Sequence, residues 1–249
     1  MSALRVAARL GGLVALLLGG LALHGAWRAL RLASPWPRRF LGGAAWVCGA
    51  RVRLHGHRPR ASVLVVSNHC GWLDILVLGG ATGAAFVARG DLEHVPLVGW
   101  LCGINRTLFV DRADRRAIPG QVALLREALG RGPVVVFPEG TTSDGLTLLP
   151  FKPALLSALD PPTPGVAVQP VFLDYGSAAP EIAWAEDRGE NGIRNALRIL
   201  GRPGSIPVAV RLLEPFDPAA VGDRKAVSAE ARRRIVDAMR AAGSRIRVA

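Results

Sequence analysis

An uncharged apolar segment near the N-terminus constrains this chain most. Leu10 to Trp27 is eighteen residues long, and His24 is its one strongly polar residue. As an α-helix the segment would be about 27 Å long, slightly less than the roughly 30 Å hydrocarbon core of a bilayer. It therefore predicts an N-terminal helix that either spans a membrane or lies in its interface.

Other readings of this segment compete with membrane association. A cleaved signal peptide needs small residues at its exit, and His-Gly-Ala-Trp-Arg is a poor exit. A buried core helix of a soluble protein also fits the composition. A second apolar stretch, Phe40 to Ala50, is too short to cross a bilayer. We predict a membrane-anchoring helical segment over residues 1–54 and a separate domain over residues 55–249.

Positive charge dominates the N-terminal part of the chain. The formal net charge is +12, and ten arginines precede Asp74, the first acidic residue. Such a segment should attract an anionic partner, either nucleic acid or an acidic lipid surface. A nucleic-acid binder would not need the apolar segment, and no helix interleaves arginines with aromatic residues. If the apolar helix spans the membrane, the arginines after it place the following domain in the cytoplasm.

The cysteines and histidines do not indicate a metal site. The three cysteines, Cys48, Cys70 and Cys102, show no CxxC spacing. This sparse set argues against a disulfide framework or a zinc site and favours a reducing compartment. His55 and His57 alternate in a basic stretch without further ligands nearby. We therefore predict no metal.

Short apolar runs alternate with segments of helical pattern over the rest of the chain, which predicts an α/β fold. The expected strands are Ser62–Ser67, Ala85–Ala88, Thr107–Val110, Val134–Phe137, Val166–Leu173 and Val208–Leu213. One helix is expected to start at Ile75–Gly79. Three further helices are expected over Pro119–Leu129, Pro153–Leu159 and Ser228–Ala242. The pattern of Pro180 to Gly204 fits either an active-site flap or a peripheral helical insertion.

The first polar motif is Asn68-His69-Cys70-Gly71-Trp72-Leu73-Asp74, between a strand and a helix. A carboxylate five residues after a histidine can fold back on the imidazole across such a turn. Asp74 would then fix the tautomer of His69 and leave the other ring nitrogen to take a proton from a hydroxyl. A loop histidine followed by a helix-capping aspartate is the simpler alternative.

Two further strands also end in polar residues. Arg112 ends the second motif, Asn-Arg-Thr-Leu-Phe-Val-Asp-Arg, and could clamp an anion, although a surface ion pair is the simpler reading. The third motif, Phe-Pro-Glu-Gly-Thr-Thr-Ser, contains Glu139, Gly140 and Thr141. Its backbone N–H groups and hydroxyls could hold an oxyanion or a phosphate, and an ordinary β-turn is the alternative.

Taken together, the ordered motifs resemble a known family. Asn-His-x₄-Asp, Phe-Val-Asp-Arg, Phe-Pro-Glu-Gly-Thr and the apolar run from Val166 to Pro170 are similar to the glycerolipid acyltransferases, specifically the 1-acyl-sn-glycerol-3-phosphate acyltransferase (PlsC-like) family. The segment Phe86-Val87-Ala88-Arg89, with Pro96 and Gly99-Trp100, resembles the stretch between the first two family motifs. The resemblance implies a mixed, largely parallel sheet flanked by helices, with a membrane-associated helical segment before it.

The resemblance also implies a reaction. His69, oriented by Asp74, would deprotonate the free hydroxyl of a lysolipid, which attacks the thioester of acyl-CoA or of an acyl carrier protein. The leading expectation is transfer to 1-acyl-sn-glycerol-3-phosphate, which forms phosphatidic acid. No cofactor or nucleic acid is implied, and the domain would face the cytoplasm from the inner or cytoplasmic membrane. The head-group site would comprise Arg112, Glu139, Gly140, Thr141 and Lys152.

Two departures from the family pattern leave the acceptor open. Thr142 stands where many members carry arginine, and Ala154 stands where many carry glycine after the retained Lys152. Loss of one head-group cation weakens the case for strict phosphate recognition, so another lysolipid such as lyso-ornithine lipid is an alternative acceptor. Cys70 beside His69 also allows a thiol-acyl intermediate, although packing is the simpler role.

Overall fold

A seven-stranded sheet forms the centre of the fold in the computed structural model, which describes residues 2–60, 62–110, 118–184 and 189–249. The strands are β1 (Ala50–His55), β2 (Val63–Ser67), β3 (Ala85–Arg89), β4 (Leu108–Val110), β5 (Val134–Val136), β7 (Ala167–Asp174) and β8 (Ile206–Leu212). A separate parallel pair is formed by β6 (Thr147–Leu148) and β9 (Arg247–Val248). The order in the large sheet is β1-β8-β7-β2-β5-β3-β4, and β7 with β8 is its antiparallel pair. The expected mixed, largely parallel sheet is confirmed.

Helices cover both faces of this sheet. They are α1 (Ala3–Ala29), α2 (Trp36–Val47), α3 (Leu73–Thr82), α4 (Val98–Ile104), α5 (Ile118–Arg131), α6 (Ala179–Ile182), α7 (Gly192–Gly201) and α8 (Arg224–Ala241). The segment Pro153–Leu159, expected as a helix, is a 3₁₀ helix interrupted by non-helical geometry at Leu156. The undecided stretch from Pro180 to Gly204 contains the end of α6 and all of α7.

Strand β2 shows why the central strands of this sequence are continuous apolar runs and do not alternate apolar with polar residues. All five of its residues are buried, because the strand lies in the middle of a sheet covered on both faces. Val63 and Val65 pack in the hydrophobic cluster that includes α3, whereas Leu64 and Val66 pack in the cluster that includes α5 and α8.

The sequence did not predict β1. Its residues alternate arginines with aliphatic side chains, and only Ala50 is buried, so no apolar run marks the strand. The strand is defined instead by its parallel pairing with β8 at the sheet edge, from Ala50 opposite Ile206 to His55 opposite Arg211. The expected division between residues 54 and 55 therefore falls inside a strand of the central sheet.

The N-terminal helices are layered onto this sheet through close glycine contacts. A Cβ atom on Gly80 of α3 would lie 2.4 Å from the Cα atom of Gly42 in α2, so the two backbones can approach this closely only because residue 80 is glycine. In the same way, a Cβ atom on Gly43 would lie 2.8 Å from the side chain of Leu16 in α1. Helix α2 thus lies between α3 and α1.

Several N-terminal arginines bind carbonyl groups at helix C-termini. Arg5 and Arg9 donate to the carbonyl oxygens of residues 199–201 at the end of α7, at 2.9–3.1 Å. Arg38 donates to the carbonyls of Gly80 and Ala81 near the end of α3, at 3.1 and 3.3 Å. Cations are stabilised at this end of a helix by its unpaired carbonyls and dipole. Part of the N-terminal positive charge therefore stabilises the fold itself.

The outer face of α1 remains apolar and exposed. By length and composition α1 could cross a membrane, and it holds no buried residue. Leu10, Val14, Leu18 and Leu23 are all more than one third exposed, although α2 and α7 cover the opposite face. An exposed apolar helix face of this kind indicates membrane association.

Leu18→Asp is expected to weaken membrane binding about tenfold or more, because a carboxylate on the outer face of α1 would have to enter an apolar environment. The measurement is flotation of the purified protein with liposomes. Leu124→Asp is the matched control, since Leu124 is 53% exposed, Leu18 is 63% exposed, and Leu124 lies on α5 across the sheet. Equal loss of flotation in both variants would contradict a membrane-facing α1.

Candidate active site

Three loops meet at the C-terminal edge of neighbouring strands. The loop beginning at Asn68 follows β2, the loop beginning at Phe137 follows β5, and Tyr175 follows β7. Strand β2 is hydrogen-bonded to β5 on one side and to β7 on the other, and both pairings are parallel. The first and third sequence motifs are therefore adjacent, at the edge where open α/β sheets bind their ligands.

His69 and Asp74 form a hydrogen-bonded pair, as their spacing predicts. The distance from Nδ1 of His69 to Oδ2 of Asp74 is 2.7 Å. Asp74 is the second residue of α3 and is fully buried, whereas the side chain of His69 is 16% exposed. With Nδ1 bound to the carboxylate, Nε2 is the nitrogen left to exchange a proton with a substrate.

The loop between these residues wraps around the Asp74 carboxylate. Oδ2 of Asp74 accepts the backbone N–H groups of Cys70 at 2.7 Å and Gly71 at 3.0 Å, in addition to His69. Oδ1 accepts the hydroxyl of Tyr175 at 2.6 Å. A buried carboxylate requires such donors, because it loses the hydration that would stabilise its charge.

Further contacts fix the position of His69 through the face of its ring and through its backbone. The ring stacks on Phe137, with 3.9 Å between ring centroids and 14° between their planes. The backbone N–H of His69 donates to Oε1 of Glu139 at 2.7 Å, and its carbonyl accepts the N–H of Ser143 at 2.9 Å. The third motif therefore fixes the position of the first.

Glu139 lies beneath the site rather than at its surface. It is 1% exposed, and its second oxygen, Oε2, accepts the backbone N–H of Leu149 at 2.8 Å. Burial raises the pKa of Glu139 to about 8, although the two N–H donors oppose this shift. This buried position does not favour the expected contact between Glu139 and the acceptor. Both oxygens instead bind backbone groups and join the loops after β2 and β5.

The other expected head-group residues lie around the same turn. Gly140 has φ +74° and donates its N–H to the carbonyl of Phe137 at 3.1 Å, which closes the turn. Thr141 is exposed. Lys152 has an exposed side chain, and its backbone N–H donates to the carbonyl of Pro138 at 2.7 Å. Arg112 lies outside the described residues.

Two polar residues of the site carried no assigned role at the level of sequence. Asn68 exchanges two hydrogen bonds with the backbone of Leu173 in β7, at 2.8 and 2.9 Å, and so fixes the loop after β2 to the neighbouring strand. Tyr175 binds Asp74 from the end of the same strand. One signal was available, because Tyr175 is the only tyrosine of the chain and follows Asp174 at the end of an apolar run.

The stretch after β7 packs against the site loop. The backbone N–H of Trp184 donates to the carbonyl of Cys70 at 2.7 Å, and its carbonyl accepts the hydroxyl of Thr142 at 2.7 Å. Asn195 of α7 accepts the indole N–H of Trp72 at 2.8 Å. For the region from Pro180 to Gly204, these contacts favour a packed helical insertion over an active-site flap.

Cys70 is poorly suited to nucleophilic attack. Its thiol is buried, and burial together with the Asp74 charge raises its pKa well above the ordinary range. The reactive thiolate is therefore disfavoured. The geometry supports the packing role for Cys70.

Comparison with known proteins shows the family of this chain. The family profile described as Acyltransferase matches residues 51–174. A lyso-ornithine lipid O-acyltransferase of Pseudomonas aeruginosa is 37% identical over 92% of this chain and 90% of its own length. The chain belongs to the PlsC-like acyltransferase family. Within it, the 1-acyl-sn-glycerol-3-phosphate acyltransferase of Neisseria gonorrhoeae is 40% identical over 45% of this chain and 44% of its own length.

A solved structure supports the fold of this acyltransferase. The crystal structure of the 1-acyl-sn-glycerophosphate acyltransferase PlsC from Thermotoga maritima aligns with a TM-score of 0.64 at 23% identity. The alignment covers 92% of this chain and 87% of that chain.

Glu139→Gln is expected to destabilise the acyltransferase by about 1–3 kcal/mol, because Glu139 uses both oxygens as acceptors for buried N–H groups and an amide has a single acceptor oxygen. The stability contribution of Glu139 should also depend on pH. A native pKa of about 8, above the ordinary value of 4.5, means that this contribution is complete below pH 4.5 and is lost as pH rises through 8.

Chemical denaturation between pH 4 and 9 tests both effects. The wild type should lose stability over this range, and Glu139→Gln should lack that component. Glu127→Gln serves as a control for a surface carboxylate, since Glu127 is 58% exposed and paired with Arg131. Identical pH dependence in the wild type and Glu139→Gln would show that Glu139 is not the group responsible.

Proposed function

We propose that this acyltransferase esterifies the free hydroxyl of a lysolipid, with His69 as general base and Asp74 as its orienting partner. The observation that carries the proposal is the 2.7 Å bond between Nδ1 of His69 and the buried Asp74. This bond commits Nδ1 and leaves Nε2 for the acceptor hydroxyl. A positioned base of this kind typically accelerates a reaction by about 10² to 10⁴.

The reaction balances without a further group. Nε2 of His69 accepts the hydroxyl proton as the acceptor oxygen attacks the thioester carbonyl carbon of acyl-CoA or acyl carrier protein. The resulting imidazolium is stabilised by the Asp74 carboxylate. Collapse of the tetrahedral intermediate forms the ester and releases the thiolate, which takes the proton back from His69. A thioester is already activated, so neither a metal nor a cofactor is required.

Lyso-ornithine lipid is the acceptor best supported for this chain. The lyso-ornithine lipid acyltransferase of Pseudomonas aeruginosa matches 92% of the chain, whereas the 1-acyl-sn-glycerol-3-phosphate acyltransferase of Neisseria gonorrhoeae matches 45% of it. The head-group motif agrees, because Thr142 replaces an expected cation and its hydroxyl is bound to the carbonyl of Trp184. Ornithine, an amino acid with an amine side chain, needs fewer cationic partners than a phosphate.

Transfer to 1-acyl-sn-glycerol-3-phosphate, forming phosphatidic acid, is the second candidate. It is supported by the retained motif residues Arg112, Gly140 and Lys152, which can supply positive charge and a tight turn for an anionic head group. The Neisseria gonorrhoeae relative, 40% identical over 115 residues, carries this activity in its name.

The N-terminal helices bring this site to its substrate at the membrane. Because α2 and α7 cover one face of α1, the interfacial arrangement fits better than a lone spanning helix. The exposed leucines of α1 enter the membrane interface, and the N-terminal arginines favour the cytoplasmic face of the inner membrane, whose anionic lipids attract positive charge. Lysolipid acceptors can then reach His69 without leaving the lipid phase.

His69→Ala is expected to reduce acyl transfer at least about 10²-fold without unfolding the protein, because the general base is removed while the buried pairings of the sheet remain. The assay uses purified protein, acyl-CoA and a panel of lyso-ornithine lipid, 1-acyl-sn-glycerol-3-phosphate, glycerol 3-phosphate and other lysophospholipids. His55→Ala is the control, since His55 is exposed at the sheet edge. Full activity in His69→Ala would exclude the proposed mechanism.

Arg112→Ala is expected to raise the acceptor KM roughly 10- to 100-fold while the acyl-donor KM changes little, because a charge-assisted bond to the head group is lost. Steady-state kinetics with each substrate varied in turn measures the two constants. Arg240→Ala, which removes a well-exposed arginine of α8, is the control for lost surface charge. Equal changes in both KM values would remove Arg112 from the head-group site.

A further inference from the structure

Tyr175 is a buried residue of the site to which the reaction proposed above gives no role. It directly follows β7, is 2% exposed, and donates its hydroxyl to Oδ1 of Asp74 at 2.6 Å. The two residues are 101 positions apart in the sequence, so the bond exists only because β7 lies beside β2 in the sheet.

The two oxygens of Asp74 have different surroundings. Oδ2 accepts three N–H groups, from the His69 ring and from the backbone of Cys70 and Gly71. Within the described part of the chain, the strong donor to Oδ1 is Tyr175, since the Cys70 thiol lies 3.6 Å away and is a weak donor. Removal of the tyrosine hydroxyl would therefore change one side of the carboxylate and leave the other intact.

We propose that Tyr175 is a positioning residue that acts through Asp74 on the orientation and proton affinity of His69, so that the working unit is His69–Asp74–Tyr175. This inference rests on the proposed function of His69 as general base. Because Tyr175 is buried and its hydroxyl is bound to Asp74, it acts through this pair and not on a substrate directly.

The direction of the effect follows from competition for the carboxylate charge. A hydroxyl donor at Oδ1 stabilises the negative charge of Asp74 and so lowers its attraction for a further proton. Without the hydroxyl, more of this charge acts on the imidazole, and the protonated form of His69 is favoured up to a higher pH. Protonated His69 cannot act as a base. As pH falls, a variant without the hydroxyl should therefore lose activity at a higher pH than the wild type.

Other titratable groups around Asp74 do not obscure this effect. On the described elements these are His69 and Cys70 before α3, Glu139 after β5, and Tyr175 after β7. Burial raises the pKa values of Cys70 and Tyr175 well above their ordinary ranges, so both stay protonated in the assay. Glu139 binds the backbone N–H groups of His69 and Leu149 rather than Tyr175, so we expect its titration to be common to the wild type and a Tyr175 variant.

Tyr175→Phe removes the hydroxyl and keeps the ring. The acidic midpoint of kcat/KM should move up by about half to one pH unit, and kcat should fall several-fold while both KM values stay nearly constant. NMR titration of ¹³C-labelled histidine in detergent micelles should show the same shift for His69. If Tyr175 had a merely structural role, Tyr175→Phe would lower the melting temperature or reduce the activity equally at every pH. The midpoints of the kcat/KM profile and of the His69 titration would not move.

A double-mutant comparison tests the route through Asp74. The His69 titration in Asp74→Asn should be unchanged by adding Tyr175→Phe, because the group that links the two residues has lost its charge. An unshifted His69 titration in Tyr175→Phe alone would overturn the inference, as would a shift of equal size in the Asp74→Asn background. Inactivity of the wild type on every acceptor would instead overturn the proposed function, and the NMR titration would still report the coupling.

Discussion

Burial of the Asp74 carboxylate is the interaction on which the site depends. A charged group without exposure to water is stable only if the surrounding chain supplies hydrogen bonds. Here the donors are the His69 ring, two backbone N–H groups of the loop after β2, and the Tyr175 hydroxyl from the end of β7. The carboxylate thereby holds the loop in a curved conformation and orients the imidazole of His69 at the same time.

Glu139 performs a comparable task one strand away. Its two oxygens bind the backbone of His69 and Leu149, so the third motif supports the first from beneath. The polar residues of the first and third motifs thus divide into two groups by their exposure. His69 has a partly exposed ring, whereas Glu139 and Asp74 are buried and bind the backbone and the ring of His69.

The N-terminal helices combine stabilisation with membrane association. Arginines at the start of α1 bind carbonyls at the end of α7, and close glycine contacts hold α2 between α1 and α3. The leucines on the outer face of α1 are left exposed. The same segment therefore completes the helical layer over the sheet and presents an exposed apolar surface of the kind that associates with a membrane.

The sequence by itself determined the α/β class, most central strands, the N-terminal apolar helix and the His69–Asp74 pair, because buried strands produce apolar runs and a five-residue spacing is a local constraint. Only the tertiary structure decided the strand status of β1, the buried position of Glu139 and the contact of Tyr175 with Asp74. These features depend on which strands become neighbours. That choice is made by long-range packing, which leaves no periodic signal in an edge strand such as Ala50–His55 or in a lone tyrosine.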